Sequence, residues 1–183
     1  VVNQQLDLFA ENPTNDSVGA EFSSFESLKT TSHDYQLIEN EEEARKLFDF
    51  FVTKQILSLD TETTSINPVD AELVGLSFAV EEGKAFYVAI PAEREKAQTI
   101  VNIFKPLYES TEILKIGQNI KYDMEVLMNY GVRMAAPMFD TMIAHYVLQP
   151  EQKHNMDILA ETLLGYQTVH IDELIGPKGK GQK

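Results

Sequence analysis

Ile56-Leu57-Ser58-Leu59-Asp60-Thr61-Glu62-Thr63-Thr64 decides how the chain folds. An apolar run drives into two carboxylates one residue apart. Side chains of a strand alternate between faces, so residues i and i+2 share one. Asp60 and Glu62 therefore point the same way at the end of a buried strand. Two like charges held together are costly unless something cationic sits between them. Hard divalent cations with oxygen ligands, Mg2+ or Mn2+, meet that need. The bland alternative is a solvated Asp-Thr-Glu turn at a strand end.

The elements around this stretch follow from local signals. Upstream, Asn40 caps a helix over residues 41–53, with Glu41, Glu42 and Glu43 in the first turn, where the helix dipole favours them. Tyr35-Gln36-Leu37-Ile38 before it reads as a short strand. Downstream, Ser65-Ile66-Asn67-Pro68 is a loop. Strands over 73–80 and 85–90 follow, joined by the Glu81-Glu82-Gly83-Lys84 turn. A helix over 93–110 contains Pro106 near its end. Next come a strand at 113–116, a helix ending near Asn129 and a short strand at Met138-Phe139. Asp140 caps a helix to Leu148. A helix over 156–164 closes at Gly165, and a small one lies near 171–175. Residues 176–183 form a basic, flexible end. This order predicts an α/β fold: a mixed five-stranded sheet, three antiparallel strands then parallel ones, flanked by helices. The Asp60 strand lies centrally.

Gly117-Gln118-Asn119-Ile120-Lys121-Tyr122-Asp123 is the second cluster of polar residues. Asn119 and Asp123 stand four apart, one turn on a helix face. That helix leaves a strand directly, so its first turns sit where ligands bind in α/β sheets. Asp60, Glu62, Asp123 and Asn119 would then converge. The alternative has Asn119 capping the helix and Asp123 as a surface charge.

Composition sets the limits. The 183 residues suit one domain plus a tail, and no stretch is apolar enough to cross a membrane. The absence of cysteine fits a reducing cytoplasm. Acidity is concentrated early, with eleven acidic and three basic residues in the first fifty. Residues 1–34 read as a flexible acidic linker, with Leu6, Leu8, Phe9, Phe22 and Phe25 scattered through it. A net charge of −14 argues against tight nonspecific duplex binding, but a bound cation reverses the local field at an acidic site. His33, His145, His154 and His170 lack zinc spacing and read as ordinary surface or core residues.

Five segments occur in a telling order: Leu59-Asp60-Thr61-Glu62-Thr63, Leu73-Val74-Gly75-Leu76-Ser77-Phe78-Ala79, residues 117–123 above, Phe139-Asp140-Thr141-Met142, and Met156-Asp157-Ile158-Leu159-Ala160-Glu161. Together they resemble the 3′–5′ exonuclease (proofreading) domain of bacterial DNA polymerase I, of family A, within the DEDD exonuclease superfamily. The resemblance covers residues 35–183. It implies a ribonuclease-H-like fold and two-metal hydrolysis that releases nucleoside 5′-monophosphates from a DNA 3′ end. Asp60, Glu62 and Asp123 would be the catalytic residues and would hold two divalent cations, Mg2+ or Mn2+, with Zn2+ also admissible. Thr63, Ile66, Gln118, Asn119, Tyr122 and Lys153 match substrate-binding positions for a single-stranded DNA 3′ end. Ile171 stands where the family carries an aromatic residue. Partners would be the polymerase and 5′-nuclease domains of the same parent chain.

One element of the pattern is missing. The family carries a fourth carboxylate in a Tyr-x-x-x-Asp motif, which this sequence lacks. The expectation is a domain truncated before that motif, weak or inactive as a fragment. Two other readings share the carboxylates or the fold: a DEDD exoribonuclease acting on RNA 3′ ends, and a catalytically silent scaffold domain of a polymerase.

Overall fold

The computed structural model describes residues 24–170 and Glu173. Its central element is the strand Ile56–Thr63, the third in chain order and here β3. Leu57, Leu59 and Thr61 face inward, at 1%, 3% and 6% exposure, while Ser58, Asp60 and Glu62 face outward. This is the period-two pattern that the sequence dictates.

The other strands assemble around β3. They are β1 (Glu26–Ser27), β2 (Asp34–Ile38), β4 (Leu73–Glu81), β5 (Lys84–Ala89), β6 (Leu114–Gly117), β7 (Met138–Asp140) and β8 (Tyr166–Gln167). The main sheet runs β2-β5-β4-β3-β6-β7. Strands β3, β4 and β5 are antiparallel neighbours, whereas β6 and β7 add in parallel. The mixed sheet thus has six strands. The sixth is β2, which pairs in parallel with the outer edge of β5. Strand β1 pairs in parallel with β8, so sheet contacts begin inside the stretch read as linker.

Three helices cover the inner face: α1 (Glu41–Phe51), α2 (Arg94–Tyr108) and α3 (Ile120–Met128). Asn40 caps α1 by accepting from the Glu43 N–H at 3.0 Å. Stacked rings tie the layers together. Phe51 of α1 lies 5.2 Å from Phe78 of β4, and Phe78 lies 5.1 Å from Phe104 of α2. Edge and tilted contacts of this kind add about 0.5–1.5 kcal/mol to simple burial. Pro106 is accommodated in the last turn of α2, where the helix is about to end.

The other end of the sheet carries α4 (Thr141–Leu148) and α5 (Met156–Leu159). The predicted 156–164 helix is uniform only at its start. From Ala160 to Leu164 it widens into a π-helical turn, then closes at Gly165 with φ 62°. Residues 1–23, the basic end at 176–183, and the small helix near 171–175 apart from Glu173 lie outside the described residues. No helix among the described residues is long and apolar enough to cross a membrane.

Candidate active site

Strand β3 places Asp60 and Glu62 on the outer face. Beyond Ser58 the β6 pairing stops, because β6 ends at Gly117 and the chain turns into α3. That gap exposes the β3 backbone to Asp123, one turn into α3. Asp123 is buried at 2% exposure. Its Oδ1 accepts from the Thr61 backbone N–H at 2.9 Å and from Thr61 Oγ1–H at 2.7 Å. The middle residue of Asp-Thr-Glu is therefore the anchor of the third carboxylate.

The three acids form one electrostatic cluster. Asp60 is pushed up to about 7, first by loss of water, then by the charges of Asp123 and Glu62. Its residue surface is exposed, but the surrounding protein still removes much of the water on its carboxyl. Asp123 is pushed up to about 6 by burial, with the Thr61 hydrogen bonds opposing that rise. Fully buried Tyr108 stands near enough that both aspartates, after burial itself, raise its pKa. Its hydroxyl has no hydrogen-bond partner within the described protein. None of the ion pairs among the described residues reaches Asp60, Glu62 or Asp123.

This is the chemistry of a cation site: hard oxygen donors, crowded, and without a counter-charge. The side-chain arrangement is more open than the chemistry. Among the described residues no three His, Asp or Glu side chains are disposed to hold one metal ion together. One reason is visible, since an oxygen of Asp123 is committed to Thr61.

The start of α3 does not follow the alternative in which Asn119 caps the helix through its side chain. Asn119 has left-handed backbone (φ 58°, ψ 43°), and its side chain makes no capping bond. Asparagine tolerates this conformation better than most residues. Asp140 does the capping for two helices. It N-caps α4 through the Met142 and Ile143 N–H groups, at 2.9 and 3.1 Å. It also accepts from Asn119 and Ile120 at 3.2 and 2.9 Å, fixing α3 at the end of β6.

The other predicted residues fall into three groups. Thr63 and Tyr122 meet at 2.5 Å between hydroxyl oxygens, and both reach the Ser65 carbonyl. This pins the loop that presents Ile66, which is 97% exposed. Gln118 donates to the His154 carbonyl at 2.7 Å, tying α3 to the 150–155 loop that carries exposed Lys153. An apolar cavity of about 560 Å³ opens beside Asp60, with Gln118, Phe139, His145 and Leu164 among its walls. Glu62, Asp123 and Asn119 do not line it.

Comparison with known proteins places the chain in a family. The family profile DNA_pol_A_exo1, described as 3′-5′ exonuclease, matches residues 35–180. The chain belongs to this 3′-5′ exonuclease family of family A DNA polymerases. It is 37% identical to DNA polymerase I of Pseudomonas aeruginosa over 147 residues, covering 73% of this chain and 16% of that protein. Against DNA polymerase I of Borreliella burgdorferi it is 31% identical over 174 residues, covering 93% and 19%. The exonuclease chain thus spans under a fifth of the length of these relatives.

Solved structures confirm the fold. Brucella melitensis NrnC with bound Mg2+ superposes with a TM-score of 0.58 at 21% identity, covering 83% of this chain and 70% of that one. The catalytic core of RRP6 from Trypanosoma brucei gives 0.65 at 15%, covering 82% and 39%. Escherichia coli RNase D, titled an exoribonuclease, gives 0.56 at 19%, covering 70% and 32%. At these identities the likeness is one of fold: the ribonuclease-H-like DEDD architecture.

Sequence reasoning passed over two residues that hold the candidate site together. Thr61 was legible as the one polar residue in the inward row Leu57, Leu59, Thr61. A hydroxyl there demands a buried partner. The contacts of Asp140 to Asn119 and Ile120 span about twenty positions and left no local signal.

Proposed function

We propose that this chain is the proofreading unit of a bacterial DNA polymerase I, hydrolysing the terminal phosphodiester of a single-stranded DNA 3′ end. The observation that carries the reading is the uncompensated cluster that Asp60 and Glu62 of β3 make with Asp123 of α3 at the end of the strand. Asp60, Glu62 and Asp123 would hold two divalent cations, Mg2+ or Mn2+. When bound, such cations supply Lewis-acid stabilisation of the attacking and leaving oxygens and lower the pKa of water.

The chain's own residues do the rest. Asp60 and Glu62 would hold the cations, and Glu62 would help to orient the attacking water. Thr61 keeps Asp123 aimed and favours its ionised form. Exposed Ile66 offers an apolar face to the terminal base, a contact indifferent to sequence. Thr63 and Tyr122 hold that loop in place. Gln118, Asn119 and Lys153 border the strand's path, with Lys153 supplying the positive charge that a phosphate requires. The fourth carboxylate would come from the parent chain, on a Tyr-x-x-x-Asp helix. Without it the 183-residue piece turns over slowly or not at all. The same parent chain would supply the polymerase and 5′-nuclease domains, in the cytoplasm.

The test compares 5′-labelled DNA and RNA oligonucleotides of one sequence, using the chain extended through the missing motif. The reading expects stepwise shortening of DNA from the 3′ end in Mn2+, abolished by Asp60→Asn. Preferential RNA degradation would move the protein to the exoribonucleases. No degradation of either would leave only a scaffold.

A further inference from the structure

Strand β4 leaves one place without a side chain on the outer face of the sheet, and a tyrosine from β5 fills it. Glu62 of β3 stands directly opposite Gly75 of β4, and Asp60 stands opposite Ser77. Ser77 in turn faces Tyr87 of β5. The alternating residues Leu76, Phe78 and Val88 are buried on the inner face, so Gly75, Ser77 and Tyr87 share the outer face with the two carboxylates. Tyr87 starts in the row of Asp60 and leans into the row of Glu62. A Cβ on Gly75 would meet the Tyr87 hydroxyl oxygen at 2.1 Å. The phenol oxygen therefore occupies the position that a side chain on residue 75 would take. A glycine inside a strand often marks such a close approach by another group.

That position is the cross-strand neighbour of Glu62. Directly opposed residues of an antiparallel pair hold their Cβ atoms about 5 Å apart, a gap that a glutamate spans by turning about its own bonds. Glu62 is exposed, and the ladder shifts register immediately after it, between Glu62 and Thr63. Its carboxylate needs a fixed neighbour to keep one orientation. Burial, and after it the charge of Glu62, push the Tyr87 hydroxyl above the ordinary phenol value. The hydroxyl is a donor throughout the neutral range, and a carboxylate only accepts. Among the described residues neither the Tyr87 hydroxyl nor the Glu62 carboxylate has a hydrogen-bond partner.

We infer that Tyr87 is a positioning residue for Glu62: its hydroxyl donates to the Glu62 carboxylate across the Gly75 gap and holds it beside Asp60. The inference rests on the nuclease reading above, in which Glu62 helps to orient the attacking water. Tyr87 acts through that carboxylate and contacts neither cation nor DNA.

Tyr87→Phe removes the hydroxyl and keeps the ring over Gly75. In the metal-free 183-residue chain it should move the 13C resonance of the Glu62 carboxyl and leave the urea midpoint unchanged. In the chain extended through the Tyr-x-x-x-Asp motif it should lower kcat on a short single-stranded DNA about tenfold, with KM unchanged, the loss of one hydrogen bond to a charged group. Added to Glu62→Gln, it should cost nothing further, because the two residues act as one unit. A Glu62 resonance that stays in place, with wild-type kinetics, would overturn the inference and leave the nuclease reading standing. So would a raised KM with kcat unchanged, which is a direct DNA contact, or a full second loss in the Glu62→Gln background, which is an action on some other group. A shifted urea midpoint with the Glu62 resonance and kcat unmoved would make Tyr87 a packing residue alone and overturn it too. An extended wild-type chain that shortens no DNA would overturn the nuclease reading, and the inference with it.

Discussion

Replacing Thr61 by valine removes one hydroxyl and nearly nothing else. The side chain is buried and keeps its shape, so no large cavity opens. The 2.7 Å bond from Oγ1 to Asp123 disappears, while the 2.9 Å bond from the backbone N–H remains. A hydrogen bond to a buried charged group contributes about 1.5–3 kcal/mol, and one to a neutral group about 0.5–1.5. The loss therefore depends on whether Asp123 is ionised. With Asp123 at about 6, the carboxylate dominates at pH 8 and the neutral acid at pH 5. Thr61→Val should cost about 2 kcal/mol at pH 8 and about 1 kcal/mol at pH 5. It should also raise the Asp123 pKa further, because the lost bond favoured the charged form. Urea denaturation at the two pH values measures the first effect, and carboxyl NMR titration the second. Thr61→Ser keeps the hydroxyl and serves as control. Equal losses at both pH values, or none at pH 8, would refute the claim that Thr61 holds the ionised Asp123.

Asp60 at about 7 and Asp123 at about 6 are raised above the ordinary carboxylate value, so the folded chain holds their protons more tightly than the unfolded one. Their contribution is full below about pH 4 and is lost as pH rises through 6 to 7. Asp60→Asn should therefore stabilise the metal-free chain at pH 8 relative to pH 4. After discounting for solvent screening at an exposed carboxyl, the gain is about 1–2 kcal/mol. Identical pH dependence in mutant and wild type, by thermal or urea unfolding, would contradict it. Asp140→Ala leaves four N–H groups on two helix starts without their acceptor and should cost roughly 2–3 kcal/mol by urea denaturation, about one cap's worth per helix. A loss typical of a single cap would mean that α3 does not depend on it. A Cβ on Gly75 would sit 2.1 Å from the Tyr87 hydroxyl, so Gly75→Ala must displace that ring at a cost of about 1–3 kcal/mol. Adding Tyr87→Val should recover most of the stability; no recovery would place the strain elsewhere.

The sheet was legible because its signals are local and periodic. Leu57, Leu59 and Thr61 alternate with Ser58, Asp60 and Glu62, and a hairpin turn at Gly83 sets the next two strands. Strand β2 was seen as a segment, but its place was not. Joining the edge of β5 in parallel is a tertiary event that Asp34–Ile38 does not encode by itself. The carboxylates were legible as candidates through their spacing, and their proposed roles only through the resemblance of the five ordered segments. Their support was not. Asn119 was read as converging on the carboxylates or else capping the helix, yet the chain turns left-handed there and Asp140, from another strand, holds the start of α3. His145 and His154 were weighed only for zinc spacing, and their pairing depends on a loop that folds back across nine residues.

The central claim is that Asp60, Glu62 and Asp123, gathered at the end of β3, take up a divalent cation together. Titration of the 183-residue chain with Mn2+, followed by electron paramagnetic resonance of the free ion, tests it most directly. The account predicts saturable, weak binding that Asp60→Asn removes and that releases protons near pH 7. Binding that is absent, or that survives Asp60→Asn unchanged, would contradict it.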